Sequence, residues 1–144
     1  MKPKSNSFGL AVLLAAVLFS AAGCGEAVPL STPAESTITL TEAYNNQDIP
    51  LNVGDTLVIR LAANPSTGFT WEVQALDPQM LEQVGEPVFE SPDTPPDLVG
   101  AGGTLVLTFK TLQAGTTALT LVYHRPWETD VEPLQVFSVT LTVK

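Results

Sequence analysis

The sequence predicts an all-β domain, an immunoglobulin-like antiparallel β-sandwich with three loops at one end that are candidates for function. Apolar and polar residues alternate with period two in several short segments, as expected of strands that bury one face. Turn residues separate these segments, and no segment carries a sustained helical stripe. Short strands at this spacing favour a sandwich. With one cysteine in the chain, the disulfide of antibody domains is excluded and the likeness concerns architecture only.

The alternation is clearest in five segments, of which the first has Leu57, Ile59 and Leu61 on its apolar side. The others lie in the ranges 69–73, 105–109, 119–123 and 137–143. Residues 76–84 are compatible with a turn of helix, a loop or a strand. Residues 90–98 contain three prolines, which donate no backbone hydrogen bond, and are expected to form an extended or mobile loop.

The first 23 residues have the layout of a secretory signal peptide. Lys2 and Lys4 precede an apolar run over residues 8–19, and small residues follow it up to Cys24. This run is shorter than the roughly 20 residues that a membrane-spanning helix needs. We therefore predict a signal peptide at 1–23, a flexible tether at 24–36 that is rich in proline, serine and threonine, and a single domain at 37–144.

Cys24 is the only cysteine, so it has no partner within the chain. The segment Ala21-Ala22-Gly23-Cys24 resembles the lipobox of bacterial lipoproteins, in which the cysteine is acylated and becomes the mature N-terminus. Ala21 departs from the leucine that is usual at that place. The resemblance implies an exported protein, lipid-anchored to a membrane of the bacterial cell envelope on its periplasmic or cell-surface face. Ordinary cleavage that leaves a free thiol is the alternative.

The chain is acidic, with 15 Asp and Glu against 6 Lys and Arg and a net charge of −9. Because nucleic acid binding requires basic surface, no nucleic acid partner is expected. The sequence contains no HxH, CxxC or HExxH spacing, so neither a metal nor a cofactor is predicted. His124 is the one histidine, and a hydrolase built on it remains a weak alternative because no nucleophile motif accompanies it.

A turn is predicted after the strand that contains Leu57, Ile59 and Leu61, in the segment Asn64-Pro65-Ser66-Thr67-Gly68. Pro65 fixes its own φ, and the Asn64 side chain can bond to the backbone of the turn. Asn64 is not a glycosylation acceptor, because proline follows it.

A second loop is predicted at Gly100-Ala101-Gly102-Gly103. No Lys-Ser/Thr pair and no helix follow it, so it is not a phosphate-binding loop. Its glycines can supply positive φ before a strand, or can let the backbone lie close against a partner.

The third candidate is Arg125-Pro126-Trp127, which falls between two predicted strands beside His124 and Glu128. Tryptophan is often buried, so packing alone could explain it. An exposed tryptophan on a rigid loop is instead typical of a binding hot spot.

In this order, the three segments resemble the loops of chagasin-type inhibitors of papain-like cysteine peptidases. Those loops carry an NPTTG-like motif followed by two aromatics, a GxGG motif and an RPW motif. Ser66 stands where the family often has threonine, and Phe69 and Trp71 supply the aromatics, which we expect to be core residues that support the loop.

The resemblance implies that this chain is a reversible inhibitor and not an enzyme. By that resemblance, residues 64–68 would cover the reactive cysteine of a papain-like cysteine peptidase. Residues 100–103 would contact the surface of the peptidase through their backbone. Trp127 would pack on the primed side of the cleft, held by Arg125 and Pro126. The expected partners are one such peptidase and, through Cys24, a membrane, with the inhibitor acting as a monomer. A surface-anchored β-sandwich that binds without inhibiting is the alternative.

Overall fold

The computed structural model describes residues 34–92, 100 and 102–144, which form two packed β-sheets. One sheet consists of β1 (Thr37–Leu40), β3 (Thr56–Ala63), β7 (Gly103–Thr111), β5 (Leu81–Gln83) and β6 (Val88–Glu90). The other consists of β2 (Asp48–Leu51), β9 (Gln135–Val143), β8 (Gly115–His124) and β4 (Thr70–Ala75). Two short 3₁₀ turns lie at Glu42–Tyr44 and Pro65–Thr67. The predicted all-β immunoglobulin-like sandwich is confirmed.

The core is formed by the inward residues of the alternating strands. In the first sheet, Leu57, Ile59 and Leu61 of β3 are fully buried, and β3 pairs antiparallel with β7. In the second, Leu121 of β8 lies opposite Phe137 of β9, and both are buried. All five predicted strand segments are present, because burial of one face dominates their sequence pattern.

The sheets differ from a purely antiparallel arrangement at one edge each. β1 pairs parallel with β3, and β2 pairs parallel with β9. Both strands have only four residues, so their pattern is too short to stand out in the sequence. No helix in the described residues is long and apolar enough to cross a bilayer.

The ambiguous stretch 76–84 folds as a turn followed by a strand. The backbone N–H groups of Met80 and Leu81 donate to the carbonyl of Asp77, and β5 begins at Leu81. β5 and β6 then share one edge of β7, with β6 covering the half nearest Gly103. Of the proline-rich segment, Ser91 and Pro92 are described, and residues 93–99 lie outside the described ranges.

The buried residue Asp55 joins three chain segments at the end of the sandwich where β3 begins. Asp55 is 1% exposed, and its two carboxylate oxygens accept hydrogen bonds from the backbone and side chains of Ser36 and Asn52. The backbone N–H of Thr111 donates to the Asp55 carbonyl. Burial alone would raise the pKa of Asp55, but these hydrogen bonds to the charged form outweigh it, so the pKa is lowered from its ordinary value of 3.8.

Asp55→Asn is expected to lower the free energy of unfolding at pH 7 by about 2 kcal/mol. The amide has one acceptor oxygen, so it can accept from Ser36 or from Asn52 but not from both. Since the folded pKa is lowered, the carboxylate's contribution is complete above the ordinary value and is lost as the pH falls through the folded value. The gap between parent and variant should therefore narrow below about pH 4. Urea unfolding at pH 7 and pH 3 measures it, with exposed Asp48→Asn as the control; a gap independent of pH would contradict the assignment.

Candidate functional site

The three predicted loops lie together at one pole of the sandwich. β3 ends at Ala63, which is paired with Gly103 at the start of β7, so the 64–69 loop begins beside the Gly-rich loop. In the other sheet β4 begins at Thr70, which is paired with His124 at the end of β8. The strand register therefore brings the loops together. Ala101 lies outside the described residues.

The 64–69 loop is a 3₁₀ turn with both ends capped. The Oδ1 atom of Asn64 accepts from the backbone N–H of Ser66 at 3.2 Å and from its hydroxyl at 2.6 Å. The hydroxyl of Thr67 donates to the Asn64 carbonyl at 2.6 Å. Pro65 occupies the first position of the turn, and Gly68 closes it in the left-handed region with φ of 79°. The turn is thus shaped by its own residues.

Two hydrogen bonds connect this turn with the other loops. The Nδ2 atom of Asn64 donates to the carbonyl of Gly100 at 3.1 Å. On the other side, Nε of Arg125 donates to the carbonyl of Thr67 at 3.1 Å. The 64–68 turn, which lies between the other two loops, is therefore held on one side by the Asn64 side chain and on the other by the Arg125 side chain.

An aromatic cluster supports the turn from below. The hydroxyl of Tyr123 accepts from the backbone N–H of Asn64 at 2.9 Å. The Tyr123 ring lies 5.3 Å from that of Phe69 and 5.1 Å from that of Trp71, whose indole N–H donates to the carbonyl of Ala62. Trp71 is a core residue, as expected, whereas Phe69 is only partly buried and packs against the core from the loop.

The role of Tyr123 in supporting the loops is not predicted from the sequence. In the sequence this residue belongs only to the alternating segment 119–123. Its place at the end of β8 beside the turn was the available signal, since a tyrosine needs a partner for its hydroxyl when the ring is buried.

The glycines of the second loop do not have equivalent surroundings. Gly100 has φ of 87°, where an L-residue is strained. A Cβ on Gly102 would lie 3.4 Å from the Ala63 carbonyl, so a side chain fits there. A Cβ on Gly103 would overlap the Glu90 carbonyl and lie 2.6 Å from the Phe89 ring. Gly103 is therefore required for the packing of β6 on β7, whereas a side chain on Gly102 would make only ordinary van der Waals contacts.

The third loop presents Trp127 outward on a braced backbone. Trp127 is 68% exposed, and its ring lies over Gly68. The Arg125 guanidinium stacks 4.4 Å above the ring of Phe69 and bonds to Glu128 at 3.0 Å. Arg125 therefore uses its planar group to fix the loop that carries Trp127.

His124 has the surroundings of a structural residue. Its Nε2 atom lies 2.8 Å from Oε2 of Glu72, and the hydrogen bonds of the described residues give the ring no serine or threonine partner. Within the same residues, no group of three or more histidine, cysteine or acidic side chains could hold a metal ion. The polar side chains of Asn64, Thr67 and Arg125 are engaged in hydrogen bonds that hold the loops in shape.

The described residues thus form a sandwich with three loop regions at one pole, joined to one another by hydrogen bonds. The sequence profile of the family described as chagasin family peptidase inhibitor I42 matches residues 50–141. The chain belongs to the chagasin family of peptidase inhibitors. The predictions of an inhibitor and of a chagasin-type relationship are thereby confirmed, and the family is one of inhibitors rather than enzymes.

Individual relatives agree with this assignment. Chagasin of Trypanosoma cruzi is 36% identical over 106 residues, which cover 71% of this chain and 94% of chagasin. Amoebiasin-2 of Entamoeba histolytica is 29% identical over 105 residues, which cover 73% of this chain and 84% of that protein. The crystal structure of the cysteine protease inhibitor EhICP2 from Entamoeba histolytica is similar with a TM-score of 0.70 and 27% identity, covering 78% of this chain and 99% of that one. The Leishmania mexicana ICP structure has a TM-score of 0.53 and 31% identity, covering 69% and 90%.

Gly68→Ala is expected to displace Trp127, because the new methyl group would occupy the space of its ring. Gly85→Ala is a matched control, since Gly85 also has positive φ (72°) but has no atom within 4 Å of the added carbon. Both variants should lose about 1 kcal/mol of unfolding free energy from backbone strain. Only Gly68→Ala should shift the NMR signal of the Trp127 indole N–H. An unshifted indole signal would show that the ring does not lie on Gly68 in solution.

Proposed function

We propose that this chain reversibly inhibits papain-like cysteine peptidases as a monomer, by inserting its three loops into the active-site cleft. The 64–68 turn enters the centre of the cleft above the reactive cysteine. The Gly-rich loop, residues 100–103, contacts one side and Trp127 contacts the other. The observation that supports this most directly is the exposed Trp127 on a loop that Arg125 ties to the central turn.

Rigidity is the physical argument for inhibition. Association normally costs conformational entropy, because interface loops become ordered on binding. Here the central turn is closed by hydrogen bonds within Asn64, Ser66 and Thr67 before any partner arrives. The ordering cost is small, so a standard interface of about 1,600 Å² is enough for tight binding.

The same hydrogen bonds explain how the loop can avoid being cut. A cysteine peptidase cleaves a peptide bond only when its cleft holds the scissile carbonyl within reach of the thiolate and in the right orientation. Residues Pro65–Thr67 form a 3₁₀ turn, with the N–H of Gly68 bonded to the Pro65 carbonyl. The turn therefore resists extension along the cleft, and the peptidase is occluded without turnover.

A titration of the purified chain against papain and a cathepsin tests the proposed function. We expect reversible loss of peptidase activity at a stoichiometry of one inhibitor per enzyme, with the inhibitor recovered uncleaved. Full peptidase activity at high concentrations of the chain would reject the proposal and favour the alternative, a β-sandwich that binds a partner without inhibiting it.

Trp127→Ala is expected to raise the inhibition constant about 30-fold, which corresponds to about 2 kcal/mol for a buried aromatic anchor. The folded state should be little affected, because the Trp127 side chain is 68% exposed. Val53→Ala is a suitable control, since this exposed valine lies at the β2–β3 turn, at the other end of β3. Inhibition and thermal unfolding are measured on the same samples; unchanged inhibition by folded Trp127→Ala would exclude the anchor role.

We further propose that the protein is an exported lipoprotein, with acyl chains on Cys24 that hold it at a membrane of the bacterial cell envelope. The proposal is supported by the sequence alone: a leader with Lys2 and Lys4, an apolar run and a lipobox-like end. Each buried CH₂ group of an acyl chain contributes about 0.8 kcal/mol, so several chains on one residue give firm attachment.

Cys24→Ala is expected to move the protein from the membrane fraction to the soluble fraction of cells that express the full chain. Mass spectrometry of the parent protein should identify an acylated peptide that begins at Cys24. An unmodified Cys24 in membrane-associated protein would be incompatible with the anchor.

A further inference from the structure

A small cavity lies behind the loop that carries Trp127, and the proposed mode of inhibition leaves it unused. Its volume is about 150 Å³. Phe69, Val131 and Leu134 form its apolar walls, and Arg125, Glu128 and Glu132 contribute its charged groups. The volume of one water molecule in the liquid is about 30 Å³, so the cavity has room for several waters or for a side chain.

The apolar walls are not explained by packing within this domain. Val131 is 60% exposed and Leu134 is 62% exposed. With Trp127, they have the highest exposed fractions among the large hydrophobic side chains of the described residues. All three lie on the single loop between β8 and β9. Exposed apolar residues that adjoin one another favour an interaction surface, because the fold gains nothing from leaving them in water.

The charges of the cavity do not balance. The Arg125 guanidinium is already engaged by Glu128, by the Thr67 carbonyl and by the face of Phe69. Glu132 lines the same cavity and is exposed, and it forms no ion pair with any described residue. His124 also lines the cavity but is paired with Glu72. Glu132 is therefore the lining carboxylate that is left to attract a further cation.

Apolar walls next to an unpaired carboxylate suit a long basic side chain. The methylene groups of lysine or arginine lie along apolar surface while the charged group stays near its counter-ion. An acidic side chain would be repelled by Glu128 and Glu132, and a purely apolar one would leave Glu132 without a partner.

We infer that the cavity between Phe69, Val131 and Leu134 receives a lysine or arginine side chain from the rim of the bound peptidase, with its charged group at Glu132. The inference rests on the proposed function, since the cavity shares its loop with Trp127 and extends the same contact surface. This contact is a specificity determinant: peptidases with a basic residue at that part of the rim are inhibited more strongly than those without one.

The cavity can be tested without any peptidase by NMR titration of the full chain in detergent. The probe is N-acetyl-lysine methylamide, and the control is N-acetyl-norleucine methylamide, which has the same carbon stem but no ammonium group. We expect saturable shifts of the backbone signals of residues 124–134 with the lysine probe. Binding should be at least fivefold weaker for norleucine, and for lysine with the variant Glu132→Gln. Equal binding of the two probes, or absence of saturable shifts, would overturn the inference.

Inhibition constants provide the second test, using whichever of papain, cathepsin B and cathepsin L the parent inhibits most strongly. Glu132→Gln and Leu134→Ala should each raise the inhibition constant at least fivefold in low salt. The effect of Glu132→Gln should shrink at high salt, because screening weakens charge pairing. The matched controls are Glu82→Gln on β5 and Leu112→Ala in the β7–β8 turn, which lie at the end of β7 remote from the loops and should change the constant less than twofold.

The two proposals fail in distinguishable ways. Lack of inhibition by the parent chain rejects the proposed function, and the lysine titration still decides whether the cavity binds a basic side chain. Inhibition by the parent that is unaffected in Glu132→Gln and Leu134→Ala rejects the cavity contact and leaves the three-loop mechanism in place.

Discussion

The arrangement of the loops depends on the hydrogen bonds of one residue, Asn64. Its backbone N–H donates to the Tyr123 hydroxyl, which fixes the point where β3 gives way to the turn. Its side-chain oxygen accepts from Ser66, and its side-chain nitrogen donates to the carbonyl of Gly100. A carboxylate in this place could accept from Ser66 but could not donate to Gly100. An amide is therefore required if the turn and the Gly-rich loop are to be held by the same side chain.

On the other flank, the loops are joined by stacking as much as by hydrogen bonds. The rings of Trp71, Tyr123 and Phe69 lead from the core to the surface, and the Arg125 guanidinium continues this series above Phe69. Trp127 rests over Gly68, where the missing side chain leaves room for its ring. The exposed tryptophan is thus connected to the core through a sequence of close contacts. This explains how an acidic domain without a disulfide among its described residues can present stiff loops.

The sequence predicts the long strands because each buries one face completely, as with Leu57, Ile59 and Leu61. It does not predict β1 and β2, since strands of four residues are stabilised by their partners in the sheet and not by a pattern of their own. Their parallel pairing is invisible for the same reason. The motif residues were identifiable from their order along the chain. Their connections were not, because the Asn64–Tyr123 hydrogen bond joins residues 59 positions apart and requires knowledge of how the sheets pack.

The network around Asp55 also fixes the pole of the sandwich at which the described chain enters the domain. Ser36 is hydrogen-bonded to Asp55, which immediately precedes β3, and the turn at residues 64–68 follows directly after the end of β3. The eight residues of β3 separate these points by about 26 Å at the usual rise per strand residue. The described chain therefore enters the domain at the pole of the sandwich remote from the three loops. The loops and the Asp55 network therefore share no residue, so substitutions in the contact loops can change binding while the buried carboxylate that stabilises the opposite pole stays intact.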